Sequence, residues 1–179
     1  MAGCITGLPQ VAGGGQIVDE PAPARQPVLS PPAKTAVTIN GRKIVIHYSA
    51  PSMRKRLIFG GLEPYHKVWR AGANDATALE TAADLEVEGL KVPKGRYTLF
   101  VWLDPKQWLL IINKQTGQSG LEYHQDRDLG RVPMTMSRPP KPIELYKMTL
   151  THSMENKGNL TLAWENTIAS VEFAVISGH

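Results

Sequence analysis

Between Glu63 and Thr77 the chain reads EPYHKVWRAGANDAT, a short run crowded with residue types that do chemistry. Arg70 carries a planar, permanently charged guanidinium whose fork of donors fits a carboxylate or a phosphate. Asp75 adds a carboxylate, Asn74 an amide, and Tyr65 and Trp69 aromatic surface of the kind that, with convergent polar groups, holds a small ligand. Ala71-Gly72-Ala73 is small enough to let a ligand or a second loop approach the backbone. Two arrangements fit these residues. In one, Arg70 and Asp75 line a cleft with Tyr65 as a platform. In the other, Trp69 is core, Asn74 and Asp75 hold the turn, and Arg70 is tied into a satisfied network. The expected ligand-binding set is Tyr65, Trp69, Arg70, Asn74 and Asp75, joined by Arg131 just past the charged run YHQDRD.

The alternative chemistry is hydrolytic, with His47 acting beside Asp75 or Glu165 as acid–base groups. His47 stands two residues from Ser49, but the chain has no Gly-x-Ser-x-Gly elbow to expose a nucleophile. His47, His66, His124 and His152 are scattered without a His-x-His or His-Glu-x-x-His spacing, so no metal and no cofactor is expected. A net charge of +4 is mild, and Arg54-Lys55-Arg56 is the one basic run. Three charges without interleaved aromatics do not make a nucleic-acid stripe, so no nucleic-acid partner is expected.

Positioning such a site requires a scaffold, and the remaining sequence reads as short strands. KTAVTI-NG-RKIVIHYS is a hairpin signal, since Asn-Gly suits a two-residue turn with positive φ at both positions. That turn sets Ile39 opposite Arg42, Val37 opposite Ile44 and Thr35 opposite Ile46, gathering Val37, Ile39, Ile44, Ile46 and Tyr48 on one face. YHKVW and TALET flank AGAND, and ADLEVEGLKV turns at Glu88-Gly89. RYTLFVWL and WLLIIN are apolar on both faces and belong at the centre of a sheet. A polar loop through 118–128, a strand near Arg131–Met136, the break RPPKP and a meander of three strands complete the chain. The expectation is an all-β antiparallel sandwich over residues 34–179, with a jelly roll or closed barrel as variants.

Residues 1–33 form a Gly/Pro/Ala-rich tether, too poor in apolar periodicity to bury a core and expected to be disordered. The single cysteine excludes an internal disulfide. Ala2-Gly3-Cys4 resembles the end of a bacterial lipoprotein signal, where the cysteine becomes the lipidated first residue. Acylation at Cys4 is therefore expected, giving a lipid anchor as the one contact with a membrane.

IFGGLEPYHKVWRAGANDAT, KGRYTLF, WLLIINKQTGQSGLEY and RDLGRVPM resemble a bacterial cell-envelope family, domain of unknown function 2911, over nearly everything after Ser30. The resemblance implies a β-rich secreted or lipid-anchored domain and carries no activity with it. Asp75 stands where that family's pattern has Glu, and Ser119 where it has Trp. The functional expectation is an envelope-tethered domain that binds a small polar, anionic or glycan-like ligand. A hydrolase, or a structural partner in an envelope assembly, are its rivals.

Overall fold

The structure is a computed structural model and describes residues 29–177, so Cys4 and the tether up to residue 28 lie outside the described residues. Strands β1 (Pro32–Ile39), β2 (Arg42–Ser49), β3 (Lys67–Trp69), β4 (Thr77–Thr81), β7 (Gly95–Leu103), β8 (Leu109–Asn113) and β9 (Asp128–Pro133) make one sheet. The second sheet takes β5 (Asp84–Val87), β6 (Leu90–Val92), β10 (Thr135–Ser137), β11 (Ile143–Met154), β12 (Lys157–Glu165) and β13 (Thr167–Ile176). All pairings between these strands are antiparallel, and the two sheets pack as a sandwich. The chain is thus two sheets rather than a single closed barrel.

The first hairpin has the expected register, with Ile39 facing Arg42, Val37 facing Ile44 and Thr35 facing Ile46. Asn40 and Gly41 both take positive φ, at 51° and 72°, as a two-residue turn between right-twisted strands demands. Strand β1 begins at Pro32, two residues before the expected start at Lys34. The expected strand near Arg131–Met136 is two strands: β9 stays in the first sheet, while β10 pairs with β13 in the second. Between them the chain changes sheets at Met134, which is buried.

Strands β7 and β8 lie centrally, as their two apolar faces require. The inner face of β7, with Tyr97, Leu99, Val101 and Leu103, joins the core between the sheets. Its outer face carries Phe100, which with Ile111 of β8 is buried but stands outside that core. Something on the outer side must therefore cover them, and this decides where the site lies.

Within the core Phe59, Trp69, Trp108, Tyr146 and Trp164 interlock. Ring centroids sit 4.6 Å apart for Phe59–Trp108, 5.1 Å for Trp69–Tyr146 and 6.0 Å for the stacked Trp69–Trp164 pair. Offset and edge-to-face contacts of this kind add to the area they bury.

Candidate functional site

Strands β3 and β4 lie end to end along the same edge of β7. Trp69 pairs with Val101 and Thr77 with Leu99, so the seven residues 70–76 stand opposite Phe100 alone. The chain has to leave the sheet there, and Arg70-Ala-Gly-Ala-Asn-Asp-Ala forms the resulting loop. Ala71 and Asn74 turn it with φ of 52° and 57°. Three ties fix it. The Thr77 hydroxyl lies 3.0 Å from the Arg70 carbonyl and 3.1 Å from that of Ala71. Asn74 Nδ2 donates to the Ser30 carbonyl at 3.2 Å. Asp75 forms an isolated backbone bridge with Ser119.

That bridge brings in the covering segment. Residues 114–127, ending in a short 3-10 turn at Gln125–Arg127, connect β8 to β9. A Cβ on Gly120 would collide with the Asn74 carbonyl and approach Arg70 Cδ to 3.0 Å, so only glycine lets the two loops meet. The close approach is owed to Gly120 of the covering loop; Gly72 of AGAND packs instead against the Ser49 backbone and the Thr77 hydroxyl. Asp75 and Ser119 face each other at this junction.

A cleft of about 160 Å³ remains between the loops. Val68 and Phe100 line it from the outer face of the sheet, Gly120, Leu121 and Tyr123 from the covering loop, and Glu63 and Arg70 supply its charge. An adjoining hollow of about 240 Å³ shares Glu63 and Arg70 and adds Ser30, Arg56, Leu62 and Asn74. A larger hollow of about 460 Å³ lies at the other end of the sandwich, around Asn40, Arg42, Asp84 and Lys94. It ends at Ser177, the last described residue, and gathers no aromatic side chain.

Arg70 is half-buried and makes no ion pair among the described residues; its hydrogen bond is a long one, 3.4 Å to the Asn74 carbonyl. Asp75, the partner considered for it, is exposed and engaged through its backbone instead. Burial pushes the Glu63 carboxyl above its ordinary value, and the nearby Arg70 charge offsets part of that rise. The two groups therefore feel each other across the cleft without closing on each other.

Behind Tyr123 stands a second polar cluster. The Tyr123 hydroxyl donates to Asp128 Oδ2 at 2.6 Å and accepts from Arg131 at 2.8 Å. Arg131 Nε donates to the same carboxylate at 3.3 Å, and Asn113 Nδ2 donates to its other oxygen at 2.9 Å. Arg131 also lies over the Trp102 ring, 5.8 Å from its centroid. Burial, followed by the bond to Asp128, pushes the Tyr123 phenol up to about 12. The Tyr123 ring meets Phe100 edge-on at 4.9 Å, and this contact seals the outer apolar pair.

The expected binding residues therefore divide. Arg70 lines both hollows and Asn74 the second. Arg131 does not reach the cleft; it holds Tyr123, which does. Trp69 borders the cleft but is only 2% exposed, with its indole turned into the aromatic core. Strand alternation makes this unavoidable, because Val68 and Arg70 point outward on either side of it. Tyr65 packs over Gly60 beside the mouth rather than in the cleft. Among the described residues His47 makes no ion pair with Asp75 or Glu165. The His47 side chain is exposed and makes no hydrogen bond among the described residues, while Glu165 is buried and accepts from the Ile58 backbone N–H. No three His, Cys, Asp or Glu side chains gather as metal ligands among the described residues.

Glu63, Phe100 and Leu121 stand outside the expected binding set, while Tyr123 opens the charged run YHQDRD that leads to Arg131. The signal for Phe100 was present in RYTLFVWL, whose second apolar face needs a cover. Glu63 becomes visible once the chain between Phe59 and β3 is folded back by the bonds Gly60 N–H to Glu63 carbonyl and Glu63 N–H to Ile58 carbonyl.

Fold and site together define a two-sheet antiparallel sandwich with a small, loop-covered cleft on the outer face of one sheet. Residues 30–173 match the family described as "Protein of unknown function (DUF2911)", and the chain belongs to that family. No curated protein and no solved structure matches it.

Proposed function

We propose that this domain binds a small polar, anionic or glycan-like ligand in the outer-face cleft, with Arg70 as the anchor. The observation that carries the reading is the half-buried guanidinium of Arg70 without a carboxylate partner among the described residues. A guanidinium cannot shed its charge, so partial burial leaves it in need of an anion, and a ligand carboxylate or phosphate fits its fork. Glu63 offers an acceptor to a hydroxyl or amine of the same ligand, and Phe100, Val68 and Tyr123 supply the apolar wall. Because both hollows share Arg70 and Glu63, an extended ligand can span the two. The proposal has the domain at the bacterial cell envelope, tethered through the residues before β1 to an acylated Cys4; its support is Ala2-Gly3-Cys4 followed by the Gly/Pro/Ala-rich stretch.

A thermal-shift screen of organic acids, phosphate esters and glycans tests the binding role on wild type and Arg70→Ala. A ligand at 100-fold excess over Kd should stabilise wild type by about 2.7 kcal/mol. Arg70→Ala should lose that response while costing less than about 1 kcal/mol of stability, since it strands no paired carboxylate. A mutant destabilised by about 3–5 kcal/mol, beside a wild type that answers no ligand, would make Arg70 scaffold.

A further inference from the structure

We infer that the ligand is an amphiphile, with an anionic head group on Arg70 and a hydrocarbon tail lying over the leucines at the cleft mouth. The inference rests on the ligand-binding reading of the cleft and narrows it to one chemical class.

Seven large apolar side chains are exposed among the described residues; Leu121 and Leu62 line the two hollows, and Leu29, Leu57 and Tyr65 lie on the segments that supply the lining residues Ser30, Arg56 and Glu63. Leu121 lines the cleft itself and is 84% exposed; Leu62 lines the adjoining hollow. Leu57 follows on from Leu62, whose N–H donates to the Leu57 carbonyl at 3.0 Å. Leu29 precedes Ser30 of the same hollow. Single exposed leucines are ordinary on a protein surface, whereas several on the segments that build one polar cleft mark an interaction site.

The charges around the mouth set the head group. Arg56 lines the second hollow, and neither it nor Arg54 or Lys55 has a carboxylate ion-pair partner among the described residues. Arg54 and Arg56 donate to carbonyls instead, at 3.0 Å to Leu29 and at 2.9 Å to Met53. The acidic groups nearby are Glu63 inside the cleft, the exposed Asp75, and Glu144, whose carboxylate accepts the Arg54 backbone N–H at 2.9 Å. A wholly polar ligand would leave these leucines in water, and a wholly apolar one would leave Arg70 uncompensated. A molecule with an anionic head and a hydrocarbon tail satisfies both. Such chemistry comes either from a free monomer, such as a fatty acid, or from a lipid in a bilayer.

The test is calorimetric titration of the full chain with inorganic phosphate and with butyl, octyl and decyl phosphate, each kept below its aggregation concentration. Affinity should rise with chain length by up to about fourfold per methylene that is covered. Arg70→Ala should weaken the whole series, and Leu62→Ser with Leu121→Ser should flatten its slope. Met154→Ser, an exposed apolar position at the far end of β11, should leave the slope intact. Sedimentation with phosphatidylglycerol vesicles separates the sources: binding to vesicles assigns a bilayer lipid, and binding to the monomers alone assigns a free amphiphile. Equal affinity for phosphate and decyl phosphate would overturn the amphiphile while leaving the cleft reading standing. A slope that survives in the leucine variants overturns it too, because the tail then binds elsewhere. No binding by any anion of the series removes the anion-anchored cleft itself.

Discussion

Trp69 and Arg70 are neighbours in the chain and belong to different worlds. Trp69 points inward to a buried aromatic cluster, with Trp164 stacked 6.0 Å away and Phe59 5.5 Å away. Arg70 points outward to a cleft where aromatic and charged groups alternate and solvent remains. Both clusters use Phe, Trp and Tyr, so residue type does not distinguish core from site. The difference lies in what surrounds the rings: apolar neighbours from both sheets inside, and the carboxylate and guanidinium groups of Asp128, Arg131, Glu63 and Arg70 outside. The inner cluster should therefore govern stability, and the outer one ligand response.

The strongest way to break that division is Trp69→Ala. Removing a fully buried indole leaves a cavity, and a loss of about 3–5 kcal/mol is expected in denaturant unfolding. A loss under about 1 kcal/mol would mean that the indole is not packed as described. On the outer side, Asp128→Ala strands Arg131, Tyr123 and Asn113 together and should cost about 2–3 kcal/mol, discounted for the partial exposure of the pair. It should also lower the Tyr123 phenol pKa from about 12 toward its ordinary 10, by part of the rise only, because burial is the larger cause. Spectrophotometric titration of the tyrosines reads this directly, and an unmoved titration would detach Tyr123 from Asp128.

The inner cluster also contains two polar atoms without hydrogen-bond partners among the described residues, Trp69 Nε1 and the Tyr146 hydroxyl. A buried hydroxyl that bonds nothing costs free energy, so Tyr146→Phe should stabilise the fold by up to about 1 kcal/mol. Thermal unfolding decides it: a lowered melting temperature would show that the hydroxyl has a partner, such as a trapped water.

How far this division could be read in advance depended on sequence distance. The Asn40-Gly41 hairpin was legible to the residue, because its register follows from one turn and an alternating pattern. Alternation also put Val68 and Arg70 opposite Trp69, although the ligand set still included Trp69. What could not be read was the six-residue excess of the chain opposite Phe100, since it depends on β3 and β4 both choosing β7 as partner. The meeting of Gly120 with Asn74, and of Tyr123 with Phe100, follows from that non-local choice. Glu63 was hidden for a simpler reason. Nothing in its local sequence reveals that a surface-type residue is folded back beside Arg70.

Glu63 provides the smallest effect and the sharpest test of the outer cluster. Its carboxyl is held above the ordinary 4.5 by burial, with Arg70 offsetting part of the rise. A raised pKa in the folded state means that the native protein holds this proton more tightly than the unfolded chain does. The contribution to stability is thus complete below pH 4.5 and is lost as pH rises through the folded-state value. At neutral pH the ionised carboxylate is a cost, partly relieved by Arg70. Glu63→Gln removes the ionisation, so it should raise stability at pH 7 by a few tenths of a kcal/mol, within the range of surface substitutions. The gain should vanish when both proteins are melted in acid below pH 4.5. Combining the change with Arg70→Ala sharpens the comparison. Without the guanidinium, the Glu63 carboxylate loses the one charge that offsets its burial, so the benefit of Glu63→Gln should grow. Additive effects in the double mutant would show that the two residues do not share a cleft electrostatically, and the ligand anchor would then reduce to Arg70 alone.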